Sequence, residues 1–195
     1  MSQQPAKKLA TIEDLLALIA TGERAELIEG EIVYKAAPSS EHGFSAVRIS
    51  QALAPFDRKG GGGGNNPGGW WIGADIHVIY DGRPNGFLHD LVGWRRDRHA
   101  EKPKGRKVTA KPDWVAEILS TNRPNDLVTK RWVLHEHRVE HYWLVDLERQ
   151  LLSVLRWHEK GHTIIADVSP GQKAHLEPFA ELELDVAVLF GADPE

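Results

Sequence analysis

Cysteine is absent from the 195 residues of this chain. That excludes disulfides, a thiolate zinc site and a thiol nucleophile. It also fits a reducing cytosol, so a cytoplasmic protein is expected. Long apolar runs are missing too. No window approaches the roughly 20 apolar residues of a membrane span, and the opening MSQQPAKKLA carries no signal-peptide stretch. No membrane partner is therefore expected. Positive charge is not in excess: 24 Lys and Arg stand against 28 Asp and Glu, a net charge of -4. That balance argues against a protein that coats nucleic acid through bulk charge. It leaves room for an enzyme with carboxylates at its centre and basic residues at its rim. Ten histidines are present; the HExxH spacing from His158 to His162 falls on an expected hairpin turn around Gly161, not on a helix, so a zincin is not expected.

The 41% of hydrophobic residues suffices for one domain with a sizeable core, expected to span residues 1–195. Glycine is concentrated in DRKGGGGGNNPGG, from Asp57 to Gly69. This stretch buries no apolar surface, and residues 58–69 are expected to form a mobile loop. Thr11, with Asp14 three residues on, caps a first helix that Gly22 ends. Ala25 to Lys35 reads as a hairpin turning at Glu29-Gly30. Ser39 or Ser40 caps a second helix, with Ala46, Ile49, Leu53 and Phe56 near helical spacing. Trp70 to Tyr80 reads as a strand, its even-numbered residues from Trp70 to Tyr80 on one face, Asp75 and His77 on a polar face. His141 to Leu147 suits a central strand. Leu151 to Trp157 and His162 to Val168 suit a hairpin around Gly161, and Leu182 to Phe190 a last strand or helix.

Two strands carry a charge where an apolar residue belongs. In KPDWVAEILSTNRPNDLVTK, Pro112 to Leu119 reads as a buried strand with Asp113, Val115, Glu117 and Leu119 on one face. In PNGFLHDLVGW, Leu88, Asp90, Val92 and Trp94 alternate in the same way. A buried carboxylate shifts its pKa, pairs, or binds a metal. Asp90 and Glu117 are thus candidates for holding a hard divalent cation, which takes one or two carboxylates plus water and phosphate oxygens. Pro124 suits the first turn of a following helix that carries Lys130. On a helical wheel Lys130 falls between Val133 and Leu134.

The segments AELIEGEIV, SSEHG, HDLVGW, KPDWVAEILST and VEHYWLVD, with the Lys130 helix, resemble the Uma-two family of restriction endonucleases within the PD-(D/E)XK nuclease superfamily. The likeness runs from about Leu9 to Phe190. It implies an α/β, restriction-endonuclease-like fold, a mixed sheet flanked by helices. It implies a Mg2+- or Mn2+-dependent endonuclease that hydrolyses DNA phosphodiesters and leaves a 5′-phosphate. Asp90, Glu117 and the backbone carbonyl of Ile118 would hold the metal. Lys130 would act on the water or the phosphate, and Glu26 would be a further ligand. His42 and Glu31 would give support. Cutting both strands would call for a homodimer. Two departures stand out. His89 replaces the usual proline before Asp90, and Leu119 stands where the superfamily motif places its lysine, for which Lys130 is the migrated candidate.

Arg95 to Lys111 is strongly basic, and Arg95, Arg96, Arg98, Lys104, Arg106 and Lys107 are candidates for phosphate contacts to DNA. The rival reading is a non-cleaving module for nucleic acid or protein that keeps the nuclease fold; His89 and the acidic charge favour it. On the catalytic reading, Lys130→Met should keep fold and metal affinity but lose rate.

Overall fold

The computed structural model describes residues 9–60, 67–119 and 125–193. Residues 61–66 of the glycine-rich run, and Pro124, lie outside the described residues. The chain forms α1 (Ile12–Ala20), β1 (Ala25–Ile28), β2 (Glu31–Tyr34), α2 (Ser40–Leu53), β3 (Trp70–Tyr80), β4 (Asn85–Arg95) and β5 (Trp114–Ile118). A π-type turn, Asn125–Lys130, leads into α3 (Arg131–Glu136). Then follow β6 (His141–Asp146), β7 (Leu151–Arg156), β8 (Thr163–Val168), β9 (Lys173–His175), β10 (Glu183–Asp185) and α4 (Val186–Leu189).

Local chemistry explains several boundaries. Thr11 accepts a hydrogen bond from the Asp14 amide while Asp14 caps the Thr11 amide, a complete capping box. Replacing Thr11 with Ala should destabilise the fold by about 1 kcal/mol. A urea titration in which the midpoint does not move would contradict this. The hairpin turns at Glu29 and Gly30, whose φ values of 49° and 84° suit a primed turn. Ser39 caps α2 by accepting from the His42 amide.

The main sheet runs β2-β1-β4-β5-β6-β7-β8, with β3 also paired to β4. All its pairings are antiparallel except β5 with β6. A small β9–β10 pair, not expected from the sequence, packs Ala174 and Leu184 toward the core. One face of the sheet, with Leu91, Trp114 and Trp143, is covered by Ile49 and Leu53 of α2 and by Phe179, Val186 and Leu189. The other, with Val92, Val115 and Tyr142, is covered by Val133 and Leu134 of α3. Burying both faces explains the near-continuous apolar run of β6. No helix among the described residues is long and apolar enough to cross a membrane.

The unbroken alternation expected of β3 and β4 does not hold. Trp70 and Ile72 pack into the first core, but Ile76, Val78 and Tyr80 pack into the second, together with Trp71. The switch falls at Asp75, whose φ of 57° breaks the pleat. On β4, Phe87 shares a core with Val92 and Trp94, so its parity changes too. Asp90 sits at that change, opposite Asp75 in the antiparallel register.

Candidate active site

The site begins as a gap in the sheet. β3 lies along one edge of β4. The other edge is shared by β1, which meets it at Gly86, and β5, which pairs with Leu91 to Gly93. Between these two partners the backbone of β4 has no strand to bond, yet buried peptide groups need partners. Side chains supply them. The Leu88 amide donates to Glu26 Oε1 at 3.0 Å, and the Leu88 carbonyl accepts from Lys35 Nζ at 3.0 Å. Across the gap, the Ile118 amide donates to Asp90 Oδ2 at 2.8 Å. Asp90 and Glu117 would be the next pair of the β4–β5 ladder, which ends at Leu91 and Ala116.

Lys130 enters from below. Val133 and Leu134 anchor α3 in the second core, and that packing seals Lys130 from solvent. Its Nζ lies 2.8 Å from Glu26, 2.9 Å from Asp126 and 3.2 Å from Glu117. Lys35, one residue past β2, reaches Asp90 Oδ1 at 3.1 Å and Glu117 Oε2 at 3.7 Å. His42 Nε2 lies 3.2 Å from Asp90 Oδ2. His89 Nδ1 donates to Glu117 Oε1 at 2.6 Å, and the Tyr80 hydroxyl donates to its Nε2 at 2.8 Å.

The electrostatics follow from burial. Burial drives the His89 imidazole down, helped by the Lys130 charge, to a pKa of about 3, so it is a neutral donor to Glu117. Burial pushes the Asp90 carboxyl up, but the hydrogen bond from His42 and the Lys35 charge override it, and Asp90 ends well below the usual carboxylate range. Burial raises Glu117 and Asp126, against the pull of Lys130. Burial opposes the charge on Lys35 most strongly, but the Glu117, Asp90 and Glu26 carboxylates together outweigh it and raise the amine. Four carboxylates, Glu26, Asp90, Glu117 and Asp126, therefore face two ammonium groups. The cluster carries an excess of negative charge.

A cleft of about 810 Å³ opens onto this cluster, its wall including Glu26, Lys35, His42, Asp90, Ile118 and Asp126. Glu117 and Lys130 lie behind that wall. The sequence candidates Asp90, Glu117, Lys130 and Glu26 thus come together. His42 joins through Asp90, and Ile118 through its amide. Glu31 does not join: it is exposed beside the hairpin turn, on the opposite parity of β2 from Tyr34, which lines the cleft.

The basic loop is at the other end of β5. Asp113, just before that strand, accepts from the Arg95 amide and from Arg98. Arg95 pairs with Asp97, Arg98 also with Glu140, and Lys104 with Glu101. The Arg96 guanidinium stacks 3.4 Å over Trp71 and donates to the Trp70 carbonyl. Arg106 and Lys107 are exposed on the same loop. None of these six residues lines the cleft. The cations on the cleft wall are Lys35 and Arg24.

Lys35 and Asp126 escaped the sequence reading, and His89 entered it only as a departure from the family pattern, not as a partner of Glu117. Asp126 had a signal, since it stands four residues before Lys130 on one helical face. Lys35 had none beyond position, because its role depends on the gap between β1 and β5.

The chain is similar to known proteins in sequence and in fold. A family described as "Uma2: Putative restriction endonuclease" matches residues 12–187. The crystal structure of a "putative nuclease belonging to DUF820" from Anabaena variabilis is similar at a TM-score of 0.68 and 22% identity, over 92% of this chain and 97% of that one. At that identity the likeness speaks for the fold, which is restriction-endonuclease-like as expected. No curated protein matches.

Proposed function

Because this chain belongs to the Uma2 family, we propose that it is a metal-dependent endonuclease hydrolysing DNA phosphodiesters. One observation carries the reading: Asp90 and Glu117 face each other where β4 and β5 part, and a single ammonium, that of Lys35, touches both. A cation between them is thus already part of the geometry.

The donor set fits a Mg2+ or Mn2+ ion. No three acidic or imidazole side chains converge as a metal cage among the described residues. Mg2+ does not need one, since it keeps several waters and takes one or two carboxylates. In an extended strand a residue's N–H and C=O project to the same side. The Ile118 amide points at Asp90, so its carbonyl faces that side as well. The excess of carboxylates over ammonium groups favours a divalent charge. Such an ion would polarise the scissile phosphate and lower the pKa of a water.

The chain's own residues divide the remaining work. His89 and Lys130 bind the two oxygens of Glu117 and fix its orientation. Neutral His89 does so without cancelling the carboxylate's charge. Lys130 joins Glu117 to Glu26 and Asp126, so the acidic cluster moves as one unit. Its burial makes it a positioning residue, not a group that meets substrate. Asp90 is ionised at any working pH and faces the cleft.

The test is a nicking assay on supercoiled DNA. Wild type should nick with Mg2+ or Mn2+ and stop with a chelator. Asp90→Asn should be slower by at least about 100- to 1000-fold, the scale of losing one charge-stabilising group. A wild type that cleaves no form of DNA with either metal would leave the non-cleaving module as the better reading.

A further inference from the structure

We propose that Lys35 is the resident cation of this site: its ammonium holds Asp90 and Glu117 together in the ion-free protein, yields its place to a divalent ion, and then meets the bound phosphate. The proposal rests on the metal-dependent reading above. It assigns to Lys35 the substrate contact that the sequence suggested for Lys130.

Access decides between the two lysines. The Lys130 side chain is 1% exposed and is held by three carboxylates. The Lys35 side chain is 17% exposed and lines the cleft. Its Nζ bridges Asp90 and Glu117 and also donates to the Leu88 carbonyl. An ammonium and a divalent ion cannot both occupy the space between two carboxylates, because like charges about 4 Å apart repel strongly where water is scarce. One must leave. Lys35 has a flexible four-carbon stem and a compact charge. It stands just past the end of β2, before Ala36, Ala37 and Pro38, which line the same cleft. Arg24, the other cation of the cleft wall, is held by Asp75 at 2.7 Å. Lys35 is therefore the cation of the cleft wall that sits on the two carboxylates and is placed to follow the metal and the phosphate.

Calorimetric Mn2+ binding to wild type, Lys35→Met and Lys35→Gln tests the first half. Removing a competing charge should tighten Mn2+ binding by about 10-fold or more, the usual reach of a neighbouring charge. Lys35→Arg keeps the charge and should return affinity toward wild type. Nicking at saturating Mn2+ tests the second half, and both uncharged variants should fall about 100- to 1000-fold. Circular dichroism first establishes that each variant is folded, and Gln serves if Met fails. Equal or weaker Mn2+ binding in a folded uncharged variant overturns the resident-cation role. Undiminished nicking at saturating Mn2+ overturns the phosphate contact. If neither wild type nor variants bind Mn2+, the metal-dependent reading falls and takes this proposal with it. Mn2+ binding by wild type that is unchanged in the variants sinks this proposal alone.

Discussion

Lys130→Met should unfold or severely destabilise the protein, by about 3–5 kcal/mol, the range for breaking a buried ion pair from one side. That is a large part of the ~5–15 kcal/mol that holds a typical domain together. The sequence led to the opposite expectation, an intact fold with a lost rate. The reason for the change is burial. Lys130 is fully enclosed, and its ammonium compensates Glu26, Asp126 and Glu117 at once. Methionine would fill the space and leave three carboxylates facing one another. Glu117 and Asp126, already raised by burial, would rise further and take up protons. A carboxyl with a raised folded pKa gains stability as pH falls toward its unfolded value. The deficit of the variant should therefore shrink between pH 7 and about pH 5. Urea titrations of both proteins across that range check it. A variant as stable as wild type at pH 7 would show that Lys130 is not the counter-charge of the cluster.

Acid should remove several kcal/mol of stability from the ion-free protein between about pH 6.5 and pH 3. His89 sets the sign. Its folded pKa is about 3, while an unfolded histidine titrates near 6.5. The folded state thus refuses a proton that the unfolded state accepts. Its contribution is complete above about pH 6.5 and declines as pH falls, by roughly 1.4 kcal/mol per pH unit. Asp90, with a depressed folded pKa, adds a loss of the same sign in the range below about pH 4. Glu117 and Asp126 oppose both, since their folded pKa values are raised. Unfolding free energies measured in chelator from pH 7.5 to pH 4.5 should therefore decline steadily. His89→Phe, which cannot take a proton, should give a flatter line. A wild-type profile as flat as that of the variant would contradict a buried neutral His89.

The parts of the fold set by short-range chemistry were legible. The Thr11 capping box, the Glu29-Gly30 turn and the Ser39 cap each depend on residues within three positions of one another. The misplaced charges Asp90 and Glu117 were legible as well, because alternation marks a carboxylate in an apolar phase. For Asp90 the argument was weaker than it looked. β4 changes parity near that residue, and Asp75, whose backbone breaks the pleat of β3, lies about fifteen residues away. No local pattern announces such a break. Lys35 reads as an ordinary solvated lysine after a hairpin. Its role arises from a gap that β1 and β5 leave along β4, and only the assembled sheet contains that gap. In the basic loop, too, a charge run shows how many charges there are, not which acids, here Asp97, Glu101, Asp113 and Glu140, already answer some of them.

Residues 26, 35, 42, 90, 117, 126 and 130 meet only when β1, β2, α2, β4, β5 and the π-type turn have all docked. The β3–β4 hairpin, joined by a short connection, closes a small loop and can form early. The pairings of β4 with β1 and β5 span far longer stretches of chain and carry a larger entropic cost of closure. The acidic cluster therefore waits on the long-range pairings, and a partly folded copy holds its acids scattered along the chain.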